Sequence, residues 1–283
     1  MKKDFYKSLS KKYHTDHIKP LTDDEIEAYL IARMPATFAA TTVVLREVCQ
    51  RISCPITQFL DLGAGLGTGY AAAKEIFPTI EKATLIEQNP KMISKGRQFV
   101  DAEWVEGDIS KIDLPKADLV LLSYSFGELA QAIQIEVLER AWESASVLVV
   151  VEPGTPRGFS HILKVRNHLI EKGGHMIAPC PYKGPCPMAQ KGDWCHFSVR
   201  LERSREHRHL KEAELGWEDE KFSYIAMGKD PARPAKERIL RHPQKRSGHV
   251  ILELCPDGKR TISRKQKELY KWARKAKWGD ESH

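Results

Sequence analysis

Four of the six cysteines in this chain, Cys180, Cys186, Cys195 and Cys255, stand where thiolates could hold metal. Three fall within "APCPYKGPCPMAQKGDWCHFS", residues 178–198, and the fourth within "LELCPDG". Cys180, Cys186 and Cys255 each precede a proline, which removes a backbone donor and stiffens the chain after the thiol. Gly184, Gly192 and Gly258 lie close by and let backbone amides turn toward sulfur. Four thiolates can hold one zinc ion or an iron–sulfur cluster. Zinc sites commonly use close pairs, about two to four residues apart. Here five residues lie between the first two cysteines, eight between the next two, and 59 before the last. That spacing suits a larger cluster, with zinc as the alternative. His196 is a further candidate ligand, but its adjacency to Cys195 makes joint ligation awkward. Cys49 and Cys54 lie in and just after a predicted helix, and Cys49 reads as a small buried apolar residue.

A second constellation opens at "FLDLGAGLGTGY". Asp61, Gly63, Gly65 and Gly67 occupy a strand-to-helix turn, where glycine lets the backbone bend sharply and approach a ligand. The dinucleotide fingerprint needs glycine at its first, third and sixth positions. Counted from Gly63, the sixth position is Thr68, which weighs against nicotinamide and flavin. The pattern Asp-x-Gly-x-Gly-x-Gly after a first strand instead resembles the S-adenosylmethionine (SAM) site of class I methyltransferases. The resemblance implies that the glycine loop faces the methionine part. It implies that Glu87 in "TLIEQNP" accepts the ribose hydroxyl protons and that Asp108 in "EGDI" meets the adenine amine. Ser123 begins "SYSFGEL", at the end of the fourth strand where a crevice should open, and joins the cofactor set. Tyr124, Phe126 and Glu128 are candidates to stack on and orient a methyl acceptor there, with Tyr124 and Glu128 the catalytic candidates. Tyr124 and Phe126 read equally well as core. No motif identifies the target atom or a general base, and the tight three-cysteine motif of radical-SAM enzymes is absent.

These residues need a scaffold, and the sequence supplies one. "FLDLG", "ATLIEQ", "WVEGD", "ADLVLLSYS" and "SVLVVVEPG" are apolar, β-type runs. Between and after them lie helical stretches: "TGYAAAKEIF", "PKMISKGRQFV", "QAIQIEVLERAWESA" and "SHILKVRNHLIEK". Strands apolar on both faces and alternating with helices predict a doubly wound α/β sheet covered on both sides. Ahead of it, Thr22-Asp-Asp-Glu25 is a capping-box pattern that starts a helical preface, which Pro35 should break. After Gly173-Gly174 the alternation stops. The cysteine loop comes next, followed by the β-like runs "CHFSVRL", "KFSYIAM" and "HVILELCPDG" and the basic, helical "SRKQKELYKWARKAKW". The chain thus divides into a helical preface at 1–56, a SAM-type core at 57–177, a cysteine-rich region with closing strands at 178–260, and a basic tail at 261–283.

Charge is unevenly spread along the 283 residues. Residues 57–156 carry 15 acidic and 8 basic side chains, whereas residues 259–283 carry 9 basic and 3 acidic. A basic tail on an acidic body predicts a nucleic-acid contact. Its aromatic residues Tyr270, Trp272 and Trp278 would either stack on exposed bases or pack on the body. Mean hydropathy is −0.45, and no apolar run approaches a membrane span, so no membrane partner is expected. The opening "MKKDFYKSLSKKYHTDHIKP" lacks the apolar centre of a secretory signal. A bacterial cytoplasm is the expected compartment, with a mitochondrial matrix left open; reducing conditions there disfavour structural disulfides.

Read together, "EIEAYLIARMPATFAA", the glycine loop, "EPGTPRGF", "APCPYKGPCP", "WCHFSVRLER", "EDEKFSYIA" and "ARKAKWGD" occur in one order along nearly the whole chain. That succession resembles the methyltransferase-like family of small-ribosomal-subunit assembly proteins, found in bacteria and mitochondria. The resemblance implies a class I methyltransferase fold, a [4Fe–4S] cluster on Cys180, Cys186, Cys195 and Cys255, and action on small-subunit ribosomal RNA by a monomer. Two functions follow as expectations: methyl transfer from SAM to that RNA, or non-catalytic assembly in which SAM and cluster are structural. The cluster would order an RNA-binding surface of loop and tail.

Overall fold

The N-terminal capping box forms as its sequence demands. In the computed structural model, which describes residues 21–282, the Thr22 hydroxyl accepts the Glu25 amide at 3.3 Å while the Glu25 carboxylate accepts the Thr22 amide at 2.8 Å. The reading of the first twenty residues lies outside the described ones. Helix α1 (Asp23–Ala32) follows the box, and α2 (Met34–Cys49) leaves it at a 48° bend. The break falls at Arg33, two residues before Pro35. Proline sits in the first turn of α2, where its missing N–H costs no helical bond.

The core is a doubly wound α/β sheet. It runs β1 (Gln58–Leu62), α3 (Thr68–Ile76), β2 (Lys82–Glu87), α4 (Pro90–Gly96), β3 (Glu103–Glu106), β4 (Ala117–Ser123), α5 (Gln134–Ser144), β5 (Ala145–Pro153) and α6 (Pro156–Glu171). After α6 come β6 (His175–Ala178), the short α7 (Pro187–Gln190), β7 (Phe197–Glu202), α8 (Arg205–Lys211) and β8 (Trp217–Gly228). The strand order is β3-β2-β1-β4-β5-β8-β6, with β7 beside the first half of β8. Strands β1 to β5 are parallel, and β8 runs antiparallel to β5, β6 and β7. Order reverses between β1 and β4, so a crevice opens at the carboxyl ends of these two strands.

Alternation along the strands builds two cores. Leu119, Leu121, Val147 and Val149 face α2 and α3 with Val44, Leu45 and Phe59. Val120, Leu122, Leu148 and Val150 face α5 and α6 with Val137, Leu138, Val165 and Leu169.

The C-terminal region adds a second sheet: β9 (Arg238–Ile239), β10 (Gln244–Lys245), β11 (His249–Cys255) and β12 (Gly258–Ser263). Helix α9 (Lys267–Lys275) lays Leu269, Tyr270, Trp272 and Ala273 on Val250, Leu252, Leu254 and Ile262 of this sheet. Beyond it, Trp278 packs edge-on against His196 and His242, at 4.9 and 5.0 Å between ring centroids. The tail's rings therefore pack on the body and stay half-buried there. Among the described residues no single helix is long and apolar enough to cross a membrane.

Candidate functional site

The glycine turn is built by backbone. Gly63, Gly65 and Gly67 all have positive φ, at 78°, 57° and 79°, a region costly for side-chain-bearing residues. A Cβ at Gly63 would sit 2.6 Å from the Ser125 Cβ, and one at Gly67 would sit 2.5 Å from a Val100 methyl. At Gly65 a Cβ would meet the Met92 terminal methyl at 3.6 Å and the Tyr29 hydroxyl at 3.9 Å, ordinary contact distances, so this position is less crowded than the other two. The Gly65 amide donates to Glu87 Oε2 at 2.9 Å, and the Asn89 amide donates to Oε1 at 2.8 Å. Both bonds hold the Glu87 carboxylate over the turn and leave it lone pairs for a ligand, while burial raises its pKa.

Asp61 lies beneath this turn, 1% exposed, against the first turn of α3, where the Tyr70 amide donates to it. Its Oδ2 has no hydrogen-bond partner, and burial, then the nearby Glu87, push its pKa up to about 7. It supports the loop from below. Asp108 is similarly committed: Oδ1 accepts from the Ser110 amide and hydroxyl at 2.9 and 2.7 Å, and Oδ2 lies 3.1 Å from Lys111. These local bonds hold its pKa below the usual carboxylate range. The Ser123 hydroxyl pairs with the Thr41 hydroxyl of α2 at 2.9 Å.

The end of β4 carries the rest of the cleft. Glu128 is exposed to solvent, yet burial among surrounding atoms, then Glu87 and Glu152, push its pKa up to about 8. Tyr124 adopts φ 60° and its hydroxyl donates to Glu220 of β8 at 3.0 Å. Arg33, from the break between α1 and α2, donates two bonds to the same carboxylate at 3.2 and 3.3 Å and lies 5.7 Å from the Tyr124 ring. Tyr124 is thus a brace between preface and sheet through its hydroxyl. Phe126 is fully buried core. Beside it, Glu152 accepts from the Gly127 amide at 3.0 Å and pairs with His161 at 3.1 Å.

Sequence reasoning missed Tyr29, whose hydroxyl lies 3.9 Å from the point where a Gly65 Cβ would be, so that α1 roofs the turn. It also missed Arg33, Ser125 and Glu220. Ser125 donates to the Leu62 carbonyl at 2.6 Å and so ties β4 to the turn. "SYSFGEL" holds Ser125, but nothing local signals pairing across 63 residues.

The four cysteines share one buried cavity of about 30 Å³. Cys180 follows β6, Cys186 precedes α7, Cys195 precedes β7 and Cys255 ends β11. The space is narrow and walled largely by apolar side chains, among them Phe159, Met188 and Leu240. Burial raises the pKa of Cys180, Cys195 and Cys255, the last to about 12, and the thiols oppose one another's ionisation. As placed, no three His, Cys, Asp or Glu among the described residues form a metal-ion site. His196 does not line the cavity; its ring stacks on Trp194 at 5.4 Å. Two arginines do line it, Arg166 and Arg238, 3% and 1% exposed. Each keeps one buried guanidinium nitrogen without a partner, Nε of Arg166 and one terminal nitrogen of Arg238.

Both sites match a ligand by charge. The cleft offers Glu87 and Glu128 to a hydroxyl-bearing cation, which is the chemistry of SAM. The cavity offers four thiols and two unsatisfied cations to an anionic metal–thiolate group. The orphaned guanidinium nitrogens, and the Glu87 carboxylate held over the turn by the Gly65 amide, are observations that fit these groups.

Two fission-yeast proteins, Rsm22-cox11 tandem proteins 1 and 2, mitochondrial, are each 27% identical, over 96% of this chain and 45% of theirs. The human ribosome assembly protein METTL17, mitochondrial, is 29% identical over 89% of this chain and 61% of its own. The chain thus spans about half the length of the curated relatives it matches. Among solved structures, a plantazolicin methyltransferase, BpumL, in complex with SAH aligns at TM-score 0.48 and 12% identity, over 80% of this chain and 95% of that one. A putative RNA methyltransferase from Pyrococcus horikoshii aligns at 0.47 and 16%, over 81% and 96%. The family described as "Mitochondrial small ribosomal subunit Rsm22" matches residues 23–283, and this chain belongs to it.

Proposed function

We propose that this chain is an assembly factor of the small ribosomal subunit that binds SAM in the cleft and a [4Fe–4S] cluster on Cys180, Cys186, Cys195 and Cys255. The family match over residues 23–283 carries the ribosomal part. The curated relatives are named as mitochondrial, and we place this chain with the ribosome it serves, in bacterial cytoplasm or mitochondrial matrix.

Within this reading the residues have separate tasks. Glu87 orients the ribose, Gly65 lets the ligand approach the backbone, and Asp61 with Ser125 holds the turn. The four cysteines hold the cluster, which fastens the 178–198 loop to β11. When bound, SAM supplies a transferable methyl group. Methyl transfer to small-subunit RNA is the second reading, favoured by Glu128, a titratable carboxyl in the cleft whose pKa of about 8 suits it to proton exchange near neutral pH. The brace of Tyr124, Glu220 and Arg33 favours the non-catalytic reading, since it engages the Tyr124 hydroxyl in holding preface to sheet.

The test is incubation of anaerobically purified protein with methyl-labelled SAM and immature small subunits. Label that sediments with subunits only as bound SAM supports the non-catalytic factor; label fixed in the RNA establishes methyl transfer. Failure to bind subunits at physiological salt would overturn the proposal.

A further inference from the structure

Arg166 is a buried cation whose own surroundings do not neutralise it. It lies on α6, 3% exposed, and donates to the Asn167 side-chain oxygen at 3.0 Å, the Tyr182 carbonyl at 3.0 Å and the Gly184 carbonyl at 2.7 Å. All three are neutral acceptors, and no carboxylate among the described residues pairs with it. Its Nε keeps an unpartnered proton in the wall of the cysteine cavity. Burial of an uncompensated charge is strongly unfavourable, so an unpaired guanidinium beside four thiols implies an anion between them.

Arg238 makes a useful contrast. It is 1% exposed and lines the same cavity, but its charge is partly met by Glu47 at 3.0 Å. It also donates to the Pro179 carbonyl at 3.3 Å and the Gly279 carbonyl at 2.7 Å, and one terminal nitrogen has no partner. The two arginines grip the cysteine loop by its carbonyls and present their remaining N–H groups to the cavity.

We infer that Arg166, assisted by Arg238, is the internal counter-cation of the thiolate-ligated cluster in this cavity and sets its reduction potential. The inference rests on the cluster reading above. A [4Fe–4S] core with four thiolates carries two negative charges when oxidised and three after gaining one electron. A fixed positive charge stabilises the reduced form more, so it raises the potential. The unsatisfied N–H groups would add hydrogen bonds to sulfur, which act in the same direction.

The experiment uses the full chain, purified without oxygen, as wild type, Arg166→Lys and Arg166→Met. Iron and sulfide are counted first, and the midpoint potential is then read at an electrode. Arg166→Met should shift the reduction equilibrium at least tenfold toward the oxidised form, about 59 mV for a one-electron couple. Arg166→Lys keeps the charge and should stay close to wild type. If Arg166→Met cannot keep its cluster through purification, chelator-driven iron loss is compared instead, and Arg166→Lys should lose iron at the wild-type rate. Lysine and methionine variants that behave alike, both unchanged or both defective, would overturn the inference and leave Arg166 a packing residue. Wild type with zinc and no sulfide would instead overturn the cluster reading itself, an outcome visible before any variant is made.

Discussion

The cleft and the cysteine cavity lie in one chain but are built in opposite ways. The cleft is made chiefly from one run of chain, residues 61–69, with Glu87 reached by the next strand. The cavity draws ligands from four places between residues 180 and 255. The cleft has the Glu87 carboxylate over its turn; the cavity has four thiols and two guanidinium groups at its wall. The two sites therefore differ in charge, with buried guanidinium groups at the cavity and the Glu87 carboxyl at the glycine turn. Backbone geometry makes the first site, and tertiary folding makes the second.

The largest expected effect tests the dependence on tertiary folding. Cys186→Ser should lose its iron and weaken RNA binding together, because the loop it anchors runs to the tail through Trp278 and His196. RNA affinity unchanged in the iron-free variant would separate the cavity from the RNA surface. Next, two glycine substitutions should split stability from binding. Gly63→Ala places a Cβ 2.6 Å from Ser125 at positive φ and should cost about 1–3 kcal/mol in denaturant unfolding. Gly65→Ala meets nothing within 3.6 Å, so it should unfold with only the smaller cost of its own positive φ and chiefly weaken SAM binding by calorimetry. Equal stability losses for both would contradict the view that Gly65 alone borders the ligand.

Smaller effects concern pH. The Glu128 pKa of about 8 means that a cationic ligand binds the ionised form, so SAM affinity should rise as pH climbs through about 8. Glu128→Gln should flatten that rise. The same upward shift makes the folded chain hold its proton longer than the unfolded one. The stability this group contributes is thus full below about 4.5 and lost as pH rises through about 8. Smallest of all, replacing exposed Lys265, Lys267 and Lys275 with alanine should lessen the salt dependence of binding to single-stranded RNA, by about 0.7 in slope for each phosphate no longer neutralised. Lys271, paired with Glu268 at 2.8 Å, serves as the comparison.

Legibility in the sequence follows the same division. Strands β1 to β5 and their helices were readable because apolar runs and 3.6-residue periodicity are local signals, and the glycine turn was readable because its strain demands glycine. The capping box at Thr22 was readable for the same reason, although the bend came at Arg33 rather than Pro35. β6 was missed because its four residues follow directly on a Gly-Gly turn. The short β9 and β10 carry too little pattern to show. Glu87 and Glu128 were named by their position after a strand, and the fold sets both near the glycine turn. Ser123, Asp108 and Tyr124 were named on the same basis, but their polar groups are spent on Thr41, Ser110 and Glu220, partners that no spacing rule discloses. The cysteines announced themselves by their prolines and glycines. Arg166 and Arg238 could not, since two arginines among 45 basic residues gain meaning only when folding buries them beside thiols.

The measurement that bears most directly on this contrast is the iron, zinc and acid-labile sulfide content of the anaerobically purified chain, taken with its visible spectrum. About four irons and four sulfides per chain is the predicted result. One zinc and no sulfide would contradict it and make the loop a zinc-held element.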